Sequence, residues 1–204
     1  MASKSLVALT SATGAGAAGL TGYGAHKGWF STTERISFKS RINKEERVIL
    51  GETHSNVWAQ LLEEYKDKSK ATHLIEGISQ DNTAIDSLKE WCSKMHDSIE
   101  GGESEFNSYV SWCTRENLIT KLKAESKNWN NSTDDSGWNT AKTAYGQNDQ
   151  TDIQIPKGTG SEKIAKGDVT AEQIRNYCKT TSSMPFIKAD DLDYKRASKW
   201  CINS

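Results

Sequence analysis

Residues 88–113 read LKEWCSKMHDSIEGGESEFNSYVSWC, and this stretch decides the fold. Apolar residues recur in it at helical spacing on both sides of a Gly-Gly pair, and each run places one cysteine on its apolar face. Residues 174–201, IRNYCKTTSSMPFIKADDLDYKRASKWC, repeat the arrangement. The sequence therefore predicts two copies of one helical hairpin, each with its own cysteine pair.

The duplication extends upstream of the cysteines. A Trp-x6-Tyr pattern precedes each pair, and Glu34-Arg35-Ile36 aligns with Glu116-Asn117-Leu118 further upstream. We predict a mainly α fold, in which an N-terminal hydrophobic helix is followed by two tandem small helical modules. The predicted boundaries are residues 1–30, 31–114 and 115–204.

Large aromatic residues occupy the repeated positions, and we interpret them as anchors of two small cores. The eight predicted anchors are Trp58, Tyr65, Trp91, Trp112, Trp138, Tyr145, Tyr177 and Trp200.

Helix start and stop signals accompany this pattern. Thr83-x-x-Asp86 and Thr170-x-x-Gln173 resemble capping boxes, and Asp190-Asp191 precedes the last apolar run. Gly101-Gly102 is expected to end the helix that contains Cys92. Module two has additional residues between Tyr145 and Gly167, and their polar composition predicts a loop.

Two short β-prone segments, Val48–Leu50 and Ile153–Ile155, are too isolated to predict a sheet.

The amino-acid composition indicates how the modules are stabilised. Only 35% of the residues are hydrophobic, so a small module has a thin core and benefits from covalent links. Disulfides Cys92–Cys113 and Cys178–Cys201 would each close a loop of about 22 residues and contribute about 3 kcal/mol. Reduced, buried thiols that act as small hydrophobic side chains are the alternative.

The net charge of −1, with no basic stripe, excludes the electrostatic signature of nucleic-acid binding.

The N-terminal segment Ser5–Ala25 carries no charged side chain. At ~1.5 Å per residue it is long enough to span the ~30 Å hydrocarbon layer, so we expect a single-pass membrane anchor. A cleaved signal peptide, with Ala15-Gly16-Ala17 at the cleavage site, and a soluble tail are the alternatives. Basic residues on its C-terminal side favour cytoplasmic modules, whereas paired cysteines favour extracellular ones. We expect the extracellular arrangement.

Two motifs suggest a cofactor or a metal and are rejected. Gly14, Gly16 and Gly19 form G-x-G-x-x-G, with Glu34 at the distance of a ribose ligand, but no second buried strand follows to complete a dinucleotide-binding unit. Cys92 and His96 lie on one helical face with Cys113 as a third metal ligand, yet module two has Ser182 in place of His96.

No catalytic motif occurs, and the acidic clusters Asp134-Asp135 and Asp190-Asp191-x-Asp193 are expected to cap helices. We therefore expect no catalytic residue, no metal and no cofactor.

Several pieces of the chain resemble one group of proteins. They are MASKSLVALTSATGAGAAG (1–19), VWAQLLEEY (57–65), LKEWCSKM (88–95), SYVSWC (108–113) and ASKWC (197–201). Together they resemble the paralogous families of uncharacterised surface or membrane proteins of haemotropic mycoplasmas. The resemblance implies a membrane protein of a wall-less bacterium that faces an unknown host or cell-surface protein. The weak first helix of module two departs from the pattern.

Overall fold

Helices form most of the regular structure in the computed structural model, which describes residues 36–158 and 160–203. The predicted membrane segment at 5–25, the glycine motif and Glu34 lie outside these residues. Within the described part of the chain, none of the helices has both the length and the apolar character needed to cross a bilayer.

Module one contains four helices and the first strand of a short sheet. The elements are α1 (Phe38–Arg41), β1 (Arg47–Ile49), α2 (Ser55–Lys66), α3 (Ile85–His96) and α4 (Glu103–Cys113). The second strand, β2 (Thr114–Glu116), follows α4 without a break and pairs antiparallel with β1.

Module two repeats the helical part of this order, with a longer first helix and three shorter helices after it. Its elements are α5 (Leu118–Ala124), a 3-10 turn (Ser136–Trp138), α6 (Asn139–Gly146), α7 (Ala171–Thr181) and α8 (Leu192–Trp200). The predicted mainly α class with two paired cysteine sets is confirmed for the described residues. The helix α6, whose apolar face is weak in the sequence, has 8 residues, whereas its counterpart α2 has 12.

Each module has its own hydrophobic core. One core draws on residues between Phe38 and Cys113, and the other on residues between Leu118 and Cys201. Both disulfides are formed, with Cα–Cα distances of 5.3 Å for Cys92–Cys113 and 5.4 Å for Cys178–Cys201. Each one joins two consecutive helices at the centre of a core, because all four cysteines are buried.

A tyrosine hydroxyl organises the loop that follows the first long helix of each module. Tyr65 accepts a hydrogen bond from the Ile75 amide (3.2 Å) and donates one to the Ile78 carbonyl (2.9 Å). In module two, Tyr145 accepts from the Ile155 amide (3.0 Å) and donates to the Ile164 carbonyl (2.7 Å). We call this arrangement the tyrosine bracket.

A tryptophan completes the bracket in each copy. The ring centroids of Tyr65 and Trp112 lie 4.8 Å apart, and those of Tyr145 and Trp200 also lie 4.8 Å apart. The indole N–H of each tryptophan donates a 2.8 Å hydrogen bond to a loop carbonyl, that of His73 or Ile153. The two modules therefore share one internal framework, down to individual hydrogen bonds.

Asn117 joins the two modules. Its amide N–H donates to the Glu46 carbonyl (2.9 Å), and its side-chain amide donates to the Glu45 carbonyl (2.7 Å). Its side-chain oxygen accepts from the Thr120 amide (2.9 Å) and so caps α5. Because Ile187 of module two also packs against the core of module one, polar and apolar contacts both cross this junction.

The alignment of the two copies differs from the predicted one at their beginning. The Phe38 amide donates to the Ser98 carbonyl, and the Leu118 amide donates to the Met184 carbonyl in the same way. Phe38 therefore corresponds to Leu118, whereas the sequence alignment paired Leu118 with Ile36. Ile36 is 51% exposed, so the charged-apolar similarity around Glu34 and Glu116 is not a structural correspondence.

Two predicted helix signals in module one are wrong. The α3 helix is preceded by Ala84 at the N-cap, because the Thr83 hydroxyl donates backwards to the Ser79 carbonyl instead of capping the helix. The same helix ends at His96, before Gly101-Gly102, and Gly102 is the N-cap of α4. Ile99 therefore lies outside the helix and is 50% exposed.

The equivalent signals in module two are confirmed. Thr170 and Gln173 form a reciprocal capping box at α7, and the Asp191 carboxylate accepts from two amides at the start of α8. The Asp134 carboxylate accepts from the Gly137 amide (3.1 Å) in the 3-10 turn, while Asp135 pairs with Arg175.

Removing one disulfide tests how far the thin cores depend on covalent links. The double variant C92A/C113A opens a loop with a sequence separation of 21, so we expect the free energy of unfolding of module one to fall by about 3 kcal/mol. Urea denaturation followed by tryptophan fluorescence measures the change. C178A/C201A is the matched control, and it should weaken module two by a similar amount. A change well below 1 kcal/mol in both variants would contradict the expected role of the disulfides.

Candidate binding groove

The loop held by the tyrosine bracket differs between the modules. In module one, Ile75 and Ile78 are separated only by Glu76-Gly77, and Gly77 adopts the left-handed conformation with φ of 81°. In module two, the equivalent Ile155 and Ile164 are separated by residues 156–163. The hydrogen bond that closes the turn remains, since the amide-to-carbonyl distance is 3.1 Å in module one and 3.0 Å in module two. We call residues 156–163 the inserted hairpin.

Backbone contacts within the inserted hairpin close its base, and the Lys163 side chain ties it to the preceding loop. Pro156 and Lys163 form an antiparallel bridge, and the Lys157 amide donates to the Glu162 carbonyl (2.7 Å). The Lys163 ammonium also donates to the Thr151 carbonyl (2.9 Å).

The region Tyr145–Gly167 is more than the polar loop that its composition predicts. The side chains of Ile153, Ile155 and Ile164 are buried in the core of module two. These three isoleucines attach the region to the core, although they are isolated in the sequence and irregularly spaced. The residues that connect them are mostly polar.

A groove of about 700 Å³ lies between the inserted hairpin and α7. The hairpin and its base form one wall, α7 provides most of the remaining lining, and one residue comes from α8. The lining residues are Pro156, Lys157, Gly158, Ile164, Gln173, Asn176, Tyr177, Thr180, Thr181, Met184 and Asp193. A concave site of this size, with apolar side chains and a few polar groups, is typical of ligand binding.

The anionic side of the groove is internally neutralised. The Tyr177 hydroxyl donates to the Asp193 carboxylate (3.3 Å), and the Arg196 guanidinium donates to the same oxygen (3.2 Å). Burial, reinforced by the charge of Asp193, raises the pKa of Tyr177 above its ordinary value, so the phenol stays protonated. Asp193 therefore serves mainly to fix Tyr177 and Arg196 in place.

The cationic side of the groove is Lys157, and its side chain is exposed. Its ammonium makes no ion pair with any residue in the described ranges 36–158 and 160–203. Lys157 is thus the charged lining residue that is available to a ligand.

The predicted anchor residues fall into two groups. Six are buried, with 5% exposure or less, namely Trp58, Tyr65, Trp112, Trp138, Tyr145 and Trp200. Trp91 and Tyr177 occupy equivalent positions on α3 and α7 and lie only half-buried at the margins of their cores. Tyr177 lines the groove, so this repeated position borders the concavity in module two.

A second concavity, of about 430 Å³, lies along α7 beside the loop that contains Asn130 and Asn131. Its strongest cation, Arg175, is already engaged by the Asp135 carboxylate (2.9 Å) and the Thr133 carbonyl (2.9 Å). Lys179 also lines this concavity. The groove beside the inserted hairpin is the candidate site because part of its wall comes from residues that only module two contains.

The rejected metal site has a different arrangement from the one that a metal needs. Cys92 and Cys113 are bonded to each other, and His96 Nδ1 lies 2.7 Å from the Tyr109 hydroxyl. Among the described residues, His, Cys, Asp and Glu side chains form no cluster of three that could hold an ion.

Tyr145→Phe tests whether the tyrosine bracket holds the inserted hairpin. The change leaves the Ile155 amide and the Ile164 carbonyl without a buried partner, which lowers the free energy of unfolding by about 1–3 kcal/mol. We expect faster amide hydrogen exchange in residues 153–164. Tyr65→Phe is the matched control, because it should destabilise module one without affecting exchange in the hairpin. Unchanged exchange in Tyr145→Phe would show that the hairpin is held by other contacts.

The raised pKa of Tyr177 predicts a loss of stability at high pH. The unfolded chain releases this phenolic proton near pH ~10, whereas the folded chain retains it to higher pH. The stabilisation is therefore present below pH ~10 and decreases as the pH rises above that value. We expect the stability of the wild type to converge toward that of Tyr177→Phe above pH ~10 in denaturant titrations. A pH-independent difference would mean that Tyr177 titrates normally.

Comparison with known proteins leaves the family open. No family model matches the sequence, and neither a curated protein nor a solved structure matches it. The assignment of function therefore depends on the geometry of the groove and on the sequence.

Proposed function

We propose that this protein is a membrane-tethered, surface-exposed, non-catalytic binding protein. In this proposal, the two disulfide-linked modules form a scaffold, and the groove beside the inserted hairpin is the recognition site. Residues 5–25 are the membrane anchor, and the partner is a molecule on a host or neighbouring cell.

One observation supports the recognition site above the others. The two modules share the tyrosine bracket, the tryptophan hydrogen bonds and the disulfide, yet only module two has residues 156–163 inside the bracket. Three of the extra residues, Pro156, Lys157 and Gly158, line the groove. Loops on a rigid scaffold are where proteins place recognition residues, so a local insertion of this kind favours binding.

The disulfides support the extracellular side of the membrane. Both are fully buried, and structural disulfides persist in oxidising compartments and are rare in reducing ones. The resemblance to surface proteins of haemotropic mycoplasmas supports the same location and a host-facing role. The runner-up is a cytoplasmic-facing structural protein with the same anchor, which the basic residues Lys39, Arg41 and Lys44 favour. A dinucleotide-binding enzyme is a remote third hypothesis, and it is based on the glycine motif alone.

The two locations differ in what intact cells expose. Extracellular modules should be labelled by a membrane-impermeant biotin reagent, and all four cysteines should resist alkylation until a reductant is added. Protected modules with four alkylatable thiols would favour the cytoplasmic structural protein instead.

Exchanging the loops between modules tests the recognition site. We replace residues 156–163 by Glu-Gly, the pair found at 76–77, in the full-length chain reconstituted in lipid nanodiscs. The tyrosine bracket needs only a closed turn, so the disulfides and the circular dichroism spectrum should be unchanged. The resemblance to proteins of haemotropic mycoplasmas, which live on red cells, makes these the host cells to test. Binding to intact red cells, measured by flow cytometry, should fall to background.

The reciprocal exchange is the matched control. Inserting the sequence of residues 156–163 between Ile75 and Ile78 leaves the groove of module two intact, so red-cell binding should be retained. If wild type and the Glu-Gly variant bind equally, the groove is not the recognition site.

A further inference from the structure

One exposed apolar side chain lines the groove, and another lies on α8, which contributes Asp193 to the lining. Met184, which lines the groove, is 37% exposed, and Leu192, next to the lining residue Asp193 in the chain, is 42% exposed. They are two of the five large hydrophobic side chains that are most exposed among the described residues. Exposed apolar side chains beside a concave site favour contact with apolar groups of a partner.

Hydrogen-bonding side chains follow one another along the α7 side of the groove. Gln173, Asn176 and Thr180 lie at helical spacing and span about 10 Å, the length of three residues of extended chain. The Gln173 carbonyl oxygen is used in the capping box, which leaves its NH₂ group available. The Asn176 side chain makes no hydrogen bond within the described residues. The Thr180 hydroxyl donates to the Asn176 carbonyl of the same helix (3.1 Å) and keeps only its acceptor capacity. The two side-chain amides match a polypeptide backbone, which offers donors and acceptors at regular intervals.

The charges that line the groove favour a negatively charged ligand. Asp193 is neutralised by Tyr177 and Arg196, whereas Lys157 has no partner of opposite charge within the described part of the chain. A carboxylate on the occupant would gain a charge-assisted hydrogen bond from Lys157. A basic occupant would meet an unpaired ammonium.

A glycan fits these features less well than a peptide. Sugar rings stack on exposed aromatic faces, and the aromatic side chain that lines this groove, Tyr177, is half-buried with its hydroxyl engaged. Pro156 and Met184, which line the groove, offer apolar contacts instead.

We propose that the groove binds an extended, acidic peptide segment, in which an apolar side chain contacts Met184 and a carboxylate pairs with Lys157. This inference depends on the groove being the recognition site, as proposed above.

Selection from a phage-displayed library of random heptapeptides tests the proposal. The full-length chain in nanodiscs is the target, and the variant with Glu-Gly in place of residues 156–163 removes peptides that bind elsewhere. We expect the enriched peptides to contain Asp or Glu together with apolar residues. Synthetic versions should bind Lys157→Glu about tenfold more weakly than wild type.

Lys195→Glu is the matched control, because Lys195 is an exposed cation of α8 that does not line the groove. Its affinity for the same peptides should equal that of the wild type. Met184→Asp should also weaken binding, by placing a carboxylate in the apolar part of the groove.

The remaining outcomes distinguish a failure of this inference from a failure of the proposed function. Enriched peptides that are basic, or that are insensitive to Lys157→Glu, would overturn the acidic-peptide assignment. Oligosaccharides on an array that bind wild type and not the Glu-Gly variant would also overturn it, while the recognition site would stand. If neither peptides nor oligosaccharides show binding that requires residues 156–163, both proposals fail.

Discussion

A tyrosine hydroxyl that bridges two backbone groups sets the shape of each module. It satisfies an isoleucine amide and an isoleucine carbonyl that are removed from water, so the loop between them closes at a fixed point on the core. The neighbouring tryptophan fills the space beside the ring and secures the preceding loop carbonyl. The disulfide then holds the two helices on which this packing rests.

This constraint explains how one module can change without losing its fold. The bracket fixes the two ends of the turn and leaves the residues between them free to vary in length. Module one has two residues there and module two has eight, while the closing hydrogen bond stays within 0.1 Å of the same length. Among the added residues, Pro156, Lys157 and Gly158 line the groove beside α7 and are not part of the core.

Sequence reasoning identified features whose signals are local. Trp58, Tyr65 and their counterparts repeat at fixed spacing, and Thr170 caps α7 through a side chain only three residues from its partner. Features that depend on distant partners were missed. The β2 strand has the polar sequence Thr114–Glu116, and it forms because the end of α4 delivers it beside β1.

The groove belongs to this second class. The extra length of module two was visible in the sequence, but nothing local shows that residues 156–163 return to α7. The isoleucines at 75 and 155 carry that information, since each lies ten residues after the tyrosine whose hydroxyl it contacts. Trp91 and Tyr177 show the same limit, because helical spacing alone does not distinguish a core position from its margin.

The most direct measurement is the exchange of individual backbone amides with deuterated solvent in the oxidised wild-type protein, followed by NMR. We expect the Ile75 and Ile155 amides to exchange as slowly as the most protected amides of α3 and α7, although both lie in loops. Rapid exchange at both positions would show that the tyrosine bracket does not form, and the common framework of the two modules would be contradicted.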